Sequence, residues 1–140
     1  MGSDCIKEDP TEIADLARDS DCSSFARVMD LKIVKADRGY ALAEAKISDE
    51  KHLNFRGGTH GAVVFAVADH ACGVCGNSMG RKSVLIHSSI NYFANPEPGS
   101  VVQAEARMVH TDEIRGTMVI DVRTGKGELL ARCHSIVLFL

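Results

Sequence analysis

The run from Thr59 to Ser78, THGAVVFAVADHACGVCGNS, constrains the fold more than any other stretch of this chain. It is rich in Ala, Val and Phe, lacks proline, and carries apolar residues on nearly all sides, which is the composition of a helix buried by its surroundings. The rest of the chain must therefore supply a layer that covers it. Gly76, Asn77 and Gly80 supply its stop. Asp69 is the single acid within it, and a buried carboxylate costs free energy unless it is partnered, so its presence asks for a reason. The stretch does not read as a membrane span: from Ala62 to Val74 it is too short and is interrupted by Asp69, His70 and Gly73.

The covering layer is legible as strands. From Val28 to Ile47 the pattern alternates, with a break at Asp37-Arg38-Gly39 that suits a hairpin. After the helix, strands are expected over roughly 83–93, 101–110, 117–124 and 128–139, separated by Pro96-Glu97-Pro98-Gly99 and Gly125-Lys126-Gly127. Val102, Ala104, Ala106 and Met108 alternate with Gln103, Glu105 and Arg107, so one face of that strand is buried and the other wet. At the start, Asp9 can cap a helix over about 10–19, with Pro10 in its first turn and Ile13, Leu16 and Ala17 at helical spacing. Residues 48–58 read as a loop. The order is α+β, with a mostly antiparallel sheet available to wrap one helix, and the whole of 1–140 reads as a single domain.

Charge narrows the function. With 16 Lys and Arg against 19 Asp and Glu, the formal net charge is -3, so there is no general basic field of the kind that draws proteins to nucleic acid or anionic membrane. The N-terminus lacks a cationic start followed by an apolar run, which points to a cytoplasmic protein. Five cysteines, Cys5, Cys22, Cys72, Cys75 and Cys133, are then expected to be reduced thiols.

The chemistry concentrates in His52-Leu53-Asn54-Phe55-Arg56-Gly57-Gly58-Thr59-His60-Gly61-Ala62 and in Ala68-Asp69. A helix starting near Thr59 presents unpaired N–H groups and the positive end of its dipole, so Gly61 can hold a developing oxyanion. Asn54 can add an amide donor or position a water, and Asp69 can act as general base or as nucleophile on a carbonyl carbon. Eight helical residues put Asp69 about 12 Å along the axis from Gly61, too far for both to address one carbonyl. Two subunits with antiparallel helices would bring Gly61 and Asn54 of one chain to Asp69 of the other.

This segment resembles the signature of hotdog-fold acyl-CoA thioesterases of the phenylacetate-degradation, or PaaI-like, type. Ser89-Ile90-Asn91-Tyr92-Phe93 is similar to a strand of that family, while Ala62 and Ala94-Asn95-Pro96 depart from its pattern. The resemblance implies a hotdog fold, with an antiparallel sheet of about six strands around the helix 59–78. It also implies hydrolysis of acyl- or aryl-acyl-CoA without a metal or cofactor, coenzyme A being part of the substrate. Finally, it implies a homodimer or homotetramer with active sites shared between subunits. Asp69, Gly61 and Asn54 would be the catalytic set. His60, Arg56, Arg81, Lys82, His87 and Ser89 are the candidates for substrate binding, the basic groups toward the coenzyme A phosphates.

Other readings use the same residues. Cys72-Gly73-Val74-Cys75 looks like a thiol redox pair, but it falls near a helix end where activation is weakest. His70, Cys72, Cys75 and His87 could hold zinc, yet a second close ligand pair is missing. His60 could serve as a second base, and with Asp69 it could mimic a hydroxyacyl-thioester dehydratase. A non-catalytic acyl-CoA-binding protein could keep the same fold.

Overall fold

The strand alternation does form one curved antiparallel sheet on a single helix. The computed structural model of the chain describes residues 12–140. Its elements are α1 (Ile13–Asp21), α2 (Ser24–Met29), β1 (Lys32–Asp37), β2 (Tyr40–Lys46), α3 (Gly61–Asn77), β3 (Ser83–Tyr92), β4 (Val101–Thr111), β5 (Arg115–Thr124) and β6 (Leu129–Phe139). The six strands are ordered β1-β2-β4-β5-β6-β3, and neighbours pair antiparallel throughout. With α3 packed on the concave face, this is the hotdog arrangement.

Small residues let the helix come close. Ala41, Ala43 and Ala45 of β2 and Ala104 and Ala106 of β4 are fully buried beneath α3, beside Met118, Ile120 and Val122 of β5. At its far end Gly76 packs closely on β3 and β6, since a Cβ there would lie 2.6 Å from Ser83 Oγ, which would have to turn away, and 3.4 Å from Val137. Both ends of α3 are tied to the sheet's loops. Thr59 Oγ1 donates to Pro96 O at 2.6 Å. Ser78 Oγ donates to Cys75 O at 2.6 Å and accepts from Gly39 N at 2.9 Å, in the turn between β1 and β2. Gly39 has φ 70, the left-handed geometry that this two-residue turn requires.

Three expectations need correction. The first helix runs Ile13–Asp21 rather than about 10–19, and Glu12 stands at its N-cap without a side-chain bond; the proposed Asp9 and Pro10 cap lies outside the described residues. Val28 belongs not to a strand but to α2, which Ser23 caps by accepting from Ala26 N. Cys72, Cys75 and Cys133 are free and buried, as expected, but Cys22 is disulfide-bonded. Cys5 lies outside the described residues. No helix among the described residues is long and apolar enough to cross a membrane.

Candidate active site

The loop before α3 is built to hold one conformation. Buried His52 accepts from Ser48 N at Nδ1, and its Nε2 bonds Met29 O, each at 2.9 Å. Its carbonyl accepts from His60 N at 2.8 Å. Asn54 Oδ1 accepts from Arg56 N at 2.9 Å and Gly58 N at 3.2 Å. Two backbone donors on Oδ1 fix which way the amide points, so Nδ2 remains as a donor.

The start of α3 leaves one amide open. His60 is the N-cap, and its Nδ1 accepts from Ala62 N at 3.0 Å. Val63 N donates to His60 O at 3.0 Å. The Gly61 N–H finds no acceptor among the described residues, so the positive end of the helix is presented through it. Because Nδ1 accepts, neutral His60 carries its proton on Nε2. The exposed edge of the ring is thus a donor rather than a base.

Asp69 stands two turns further along α3. Ala62, Asp69 and Gly73 form the exposed stripe of this helix, with Phe65 half-buried beside them. Asp69 makes no hydrogen bond or ion pair to the described residues. Although it reaches solvent on the single chain, surrounding protein desolvates its carboxyl enough to raise its pKa, an effect His70 partly opposes. Neighbouring His70 is buried and fully engaged, with Nε2 2.9 Å from Asp21 Oδ1 and Nδ1 3.3 Å from Ser20 Oγ. Of the catalytic candidates, Gly61 and Asn54 lie together at the start of α3, while Asp69 lies about 12 Å away along its axis.

The remaining candidates scatter. Arg56 is exposed and stacks on Phe55 at 5.1 Å. Arg81 stacks on Phe139 at 4.7 Å, and the Lys82 carbonyl accepts from Leu140 N at 2.9 Å. Both precede β3, so they lie about 25 Å from Gly61, the length of α3. On β3, Ser88 bonds Ser135 Oγ at 2.8 Å and Ile90 packs on the core, so that parity faces α3. His87 and Ser89 fall on the opposite, exposed face. Burial pushes the Cys72 and Cys75 thiols up to about 12 and Cys133 up to about 11. Thiols so high are protonated and unreactive at neutral pH. Among the described residues no three His, Cys, Asp or Glu side chains converge as metal ligands.

One contact was not anticipated from the sequence. Tyr92 Oη donates to Gly61 O at 3.0 Å. Its place on the β3 face shared with Ser88 and Ile90 is the signal that could have found it.

The chain resembles known proteins in sequence and in fold. Residues 56–131 match the family model described as Thioesterase superfamily. A protein named "Putative esterase" from Archaeoglobus fulgidus is 31% identical over 110 residues, 79% of this chain and 71% of that protein. A variant of the phenylacetic acid degradation protein PaaI from Thermus thermophilus has the same fold, with TM-score 0.80 and 26% identity over 84% of this chain and 100% of that one. A hypothetical thioesterase from Streptococcus pneumoniae, solved with coenzyme A, superposes with TM-score 0.73 at 24% identity, over 78% of this chain and 87% of that one. Sequence match, strand order and buried helix lead to the same place: the chain belongs to the thioesterase superfamily, as a PaaI-like hotdog protein.

Proposed function

We propose that this protein hydrolyses acyl- or aryl-acyl-CoA thioesters to the free acid and coenzyme A, at sites shared between two subunits of a homo-oligomer. The observation that carries the reading is a desolvated, unpartnered Asp69 carboxylate on the exposed face of a helix whose first amide, at Gly61, is also unpartnered among the described residues. An antiparallel pairing of two α3 helices centred on Phe65, midway between Gly61 and Asp69, sets one chain's amide beside the other's carboxylate. The small exposed residues Ala62 and Gly73 suit close helix approach. Strand β3, at the sheet edge with Val84, Leu85 and Ile86 exposed, offers the unpaired backbone and apolar surface such an assembly covers.

In this arrangement Asp69 takes a proton from water as the water oxygen attacks the thioester carbon, or attacks that carbon itself to form a mixed anhydride that water then hydrolyses, releasing the acid and freeing the carboxylate. The carbonyl oxygen gains negative charge and is held by the Gly61 N–H, with Asn54 Nδ2 and His60 Nε2–H as further donors. Collapse of the intermediate breaks the carbon–sulfur bond, and the coenzyme A thiolate leaves and is protonated. Exposed Arg56, on the loop that holds Asn54, is assigned to the phosphates. Support for coenzyme A as the carrier comes from the Streptococcus pneumoniae fold relative solved with it. Free-thiol release from a panel of acyl-CoA substrates tests the reading: wild type should turn over at least one, and Asp69→Asn should lose most of that rate. Equal rates in the two proteins, or no release by wild type from any substrate, would reject it.

A further inference from the structure

Tyr92 touches neither Asp69 nor Asn54 by any hydrogen bond, yet it reaches the peptide that follows the proposed oxyanion donor. The Gly61–Ala62 peptide is gripped at both ends. Its carbonyl accepts from Tyr92 Oη at 3.0 Å, and its N–H donates to His60 Nδ1 at 3.0 Å. On the other side of Gly61, the N–H of His60 is held by His52 O at 2.8 Å. A peptide plane fixed by two hydrogen bonds cannot rotate without breaking them, so the direction of the Gly61 N–H between these anchors is set before any substrate arrives.

The tyrosine itself stands on a firm base. Tyr92 pairs with Ala131 across β3 and β6, and the next residue, Phe93, donates to Leu130 O at 2.7 Å. Its ring carbons come within 3.5 to 3.6 Å of where a Cβ on Gly61 would be, so the ring packs against the glycine while the hydroxyl reaches past it. Helix α3 needs no such bond to form, because His60 caps it and the sheet covers it. A side-chain hydroxyl spent on a carbonyl that can also accept within the helix is better explained by aiming than by folding.

We propose that Tyr92 is a positioning residue: by clamping the Gly61–Ala62 peptide against His60, it holds the Gly61 N–H in line with the substrate oxyanion. The inference rests on the thioesterase reading above and adds to it a residue of β3 that acts through Gly61. The test is Tyr92→Phe, which keeps the ring and removes only the hydroxyl. The expected result is a fall in kcat of about tenfold, the scale of a misaligned donor, with KM within about twofold and the thermal midpoint unchanged. Amide hydrogen exchange at Ala62, whose N–H is bonded to His60 Nδ1, should quicken in the variant while the middle of α3 is unaffected. If wild type and Tyr92→Phe share kcat while Asp69→Asn is inactive, Tyr92 has no positioning role and the thioesterase reading stands. If wild type releases no thiol from any acyl-CoA, that reading falls and the positioning role falls with it. A lower thermal midpoint with exchange quickened throughout α3 would make Tyr92 a structural residue and also overturn the proposal.

Discussion

Gly61 occupies the first turn of α3 at the one helical position where proline is welcome, and this makes Gly61→Pro a clean removal of the oxyanion donor. The amide it deletes has no acceptor among the described residues, so no protein hydrogen bond is lost. His60, which would precede the proline, already has φ -68 and ψ 131, the extended geometry that a residue before proline prefers. Proline at the first helical residue is tolerated because its fixed φ is pre-set for the helix. The added Cβ would meet the Tyr92 ring at 3.5 Å, an ordinary contact. Gly61→Ala adds the same Cβ and keeps the N–H, so the two variants differ in the donor and in the two proline ring carbons that replace its hydrogen. Loss of one oxyanion-hole donor costs about 10² to 10³ in kcat, or roughly 2.7–4 kcal/mol. With free-thiol release from acyl-CoA as the assay, Gly61→Pro should fall by that factor below Gly61→Ala, both melting near the wild-type temperature. Rates for the two variants within about threefold of each other would refute the assignment of the Gly61 N–H to the oxyanion.

Asn54→Asp should fold, because its carboxylate can still accept from Arg56 N and Gly58 N, but lose the Nδ2 donor and with it about tenfold or more of kcat; unchanged kcat would confine Asn54 to holding the loop. The acid limb of the pH–rate profile should lie above the ordinary aspartate value of about 3.9, because desolvation raises the Asp69 pKa and only the carboxylate is competent. A folded pKa raised in this way contributes stability below the unfolded pKa, and that contribution is lost as pH rises through the folded value. At neutral pH, therefore, Asp69→Asn should melt no lower than wild type, and a lower melting temperature would mean that the carboxylate has a structural partner. Phe65→Glu would place like charges together at the proposed two-fold axis, so sedimentation should show dissociation together with loss of turnover; an intact, active oligomer would move the axis elsewhere.

What could be read in the sequence was what depends on periodicity and on local spacing. The alternation around Val102, Ala104 and Ala106, and the apolar run ending at Ser78, gave the six strands and α3 to within a few residues. Helix α2 was hidden because six residues, Ser24–Met29, are too few to establish a helical period, and Val28 fitted a strand pattern by chance. His60 as an N-cap was hard to foresee, since histidine is not among the favoured cap residues. The division of Asn54 into a loop-bonded oxygen and a free amide needs coordinates, because it depends on where the Arg56 and Gly58 amides point. Tyr92 lies 31 residues from Gly61; strand parity puts it on the face of Ser88 and Ile90, but which residue of α3 it meets there needs coordinates. His87 and Ser89 share a face by strand alternation, and the Ser88–Ser135 bond with the packing of Ile90 establishes that the other face is the one turned to the helix.

A single mixing experiment tests the shared site most directly. Gly61→Pro and Asp69→Asn homodimers should each be nearly inactive, since every site lacks either its amide or its carboxylate. After subunit exchange, a mixed dimer has one site with Gly61 from the Asp69→Asn chain and Asp69 from the Gly61→Pro chain, while its other site carries both lesions. Random exchange makes about half the dimers mixed, each with one working site of two, so the mixture should recover roughly a quarter of wild-type thiol release if sites act independently. Activity that stays at the average of the two parents after verified exchange would contradict the account, because Gly61 and Asp69 would then not come together from opposite chains.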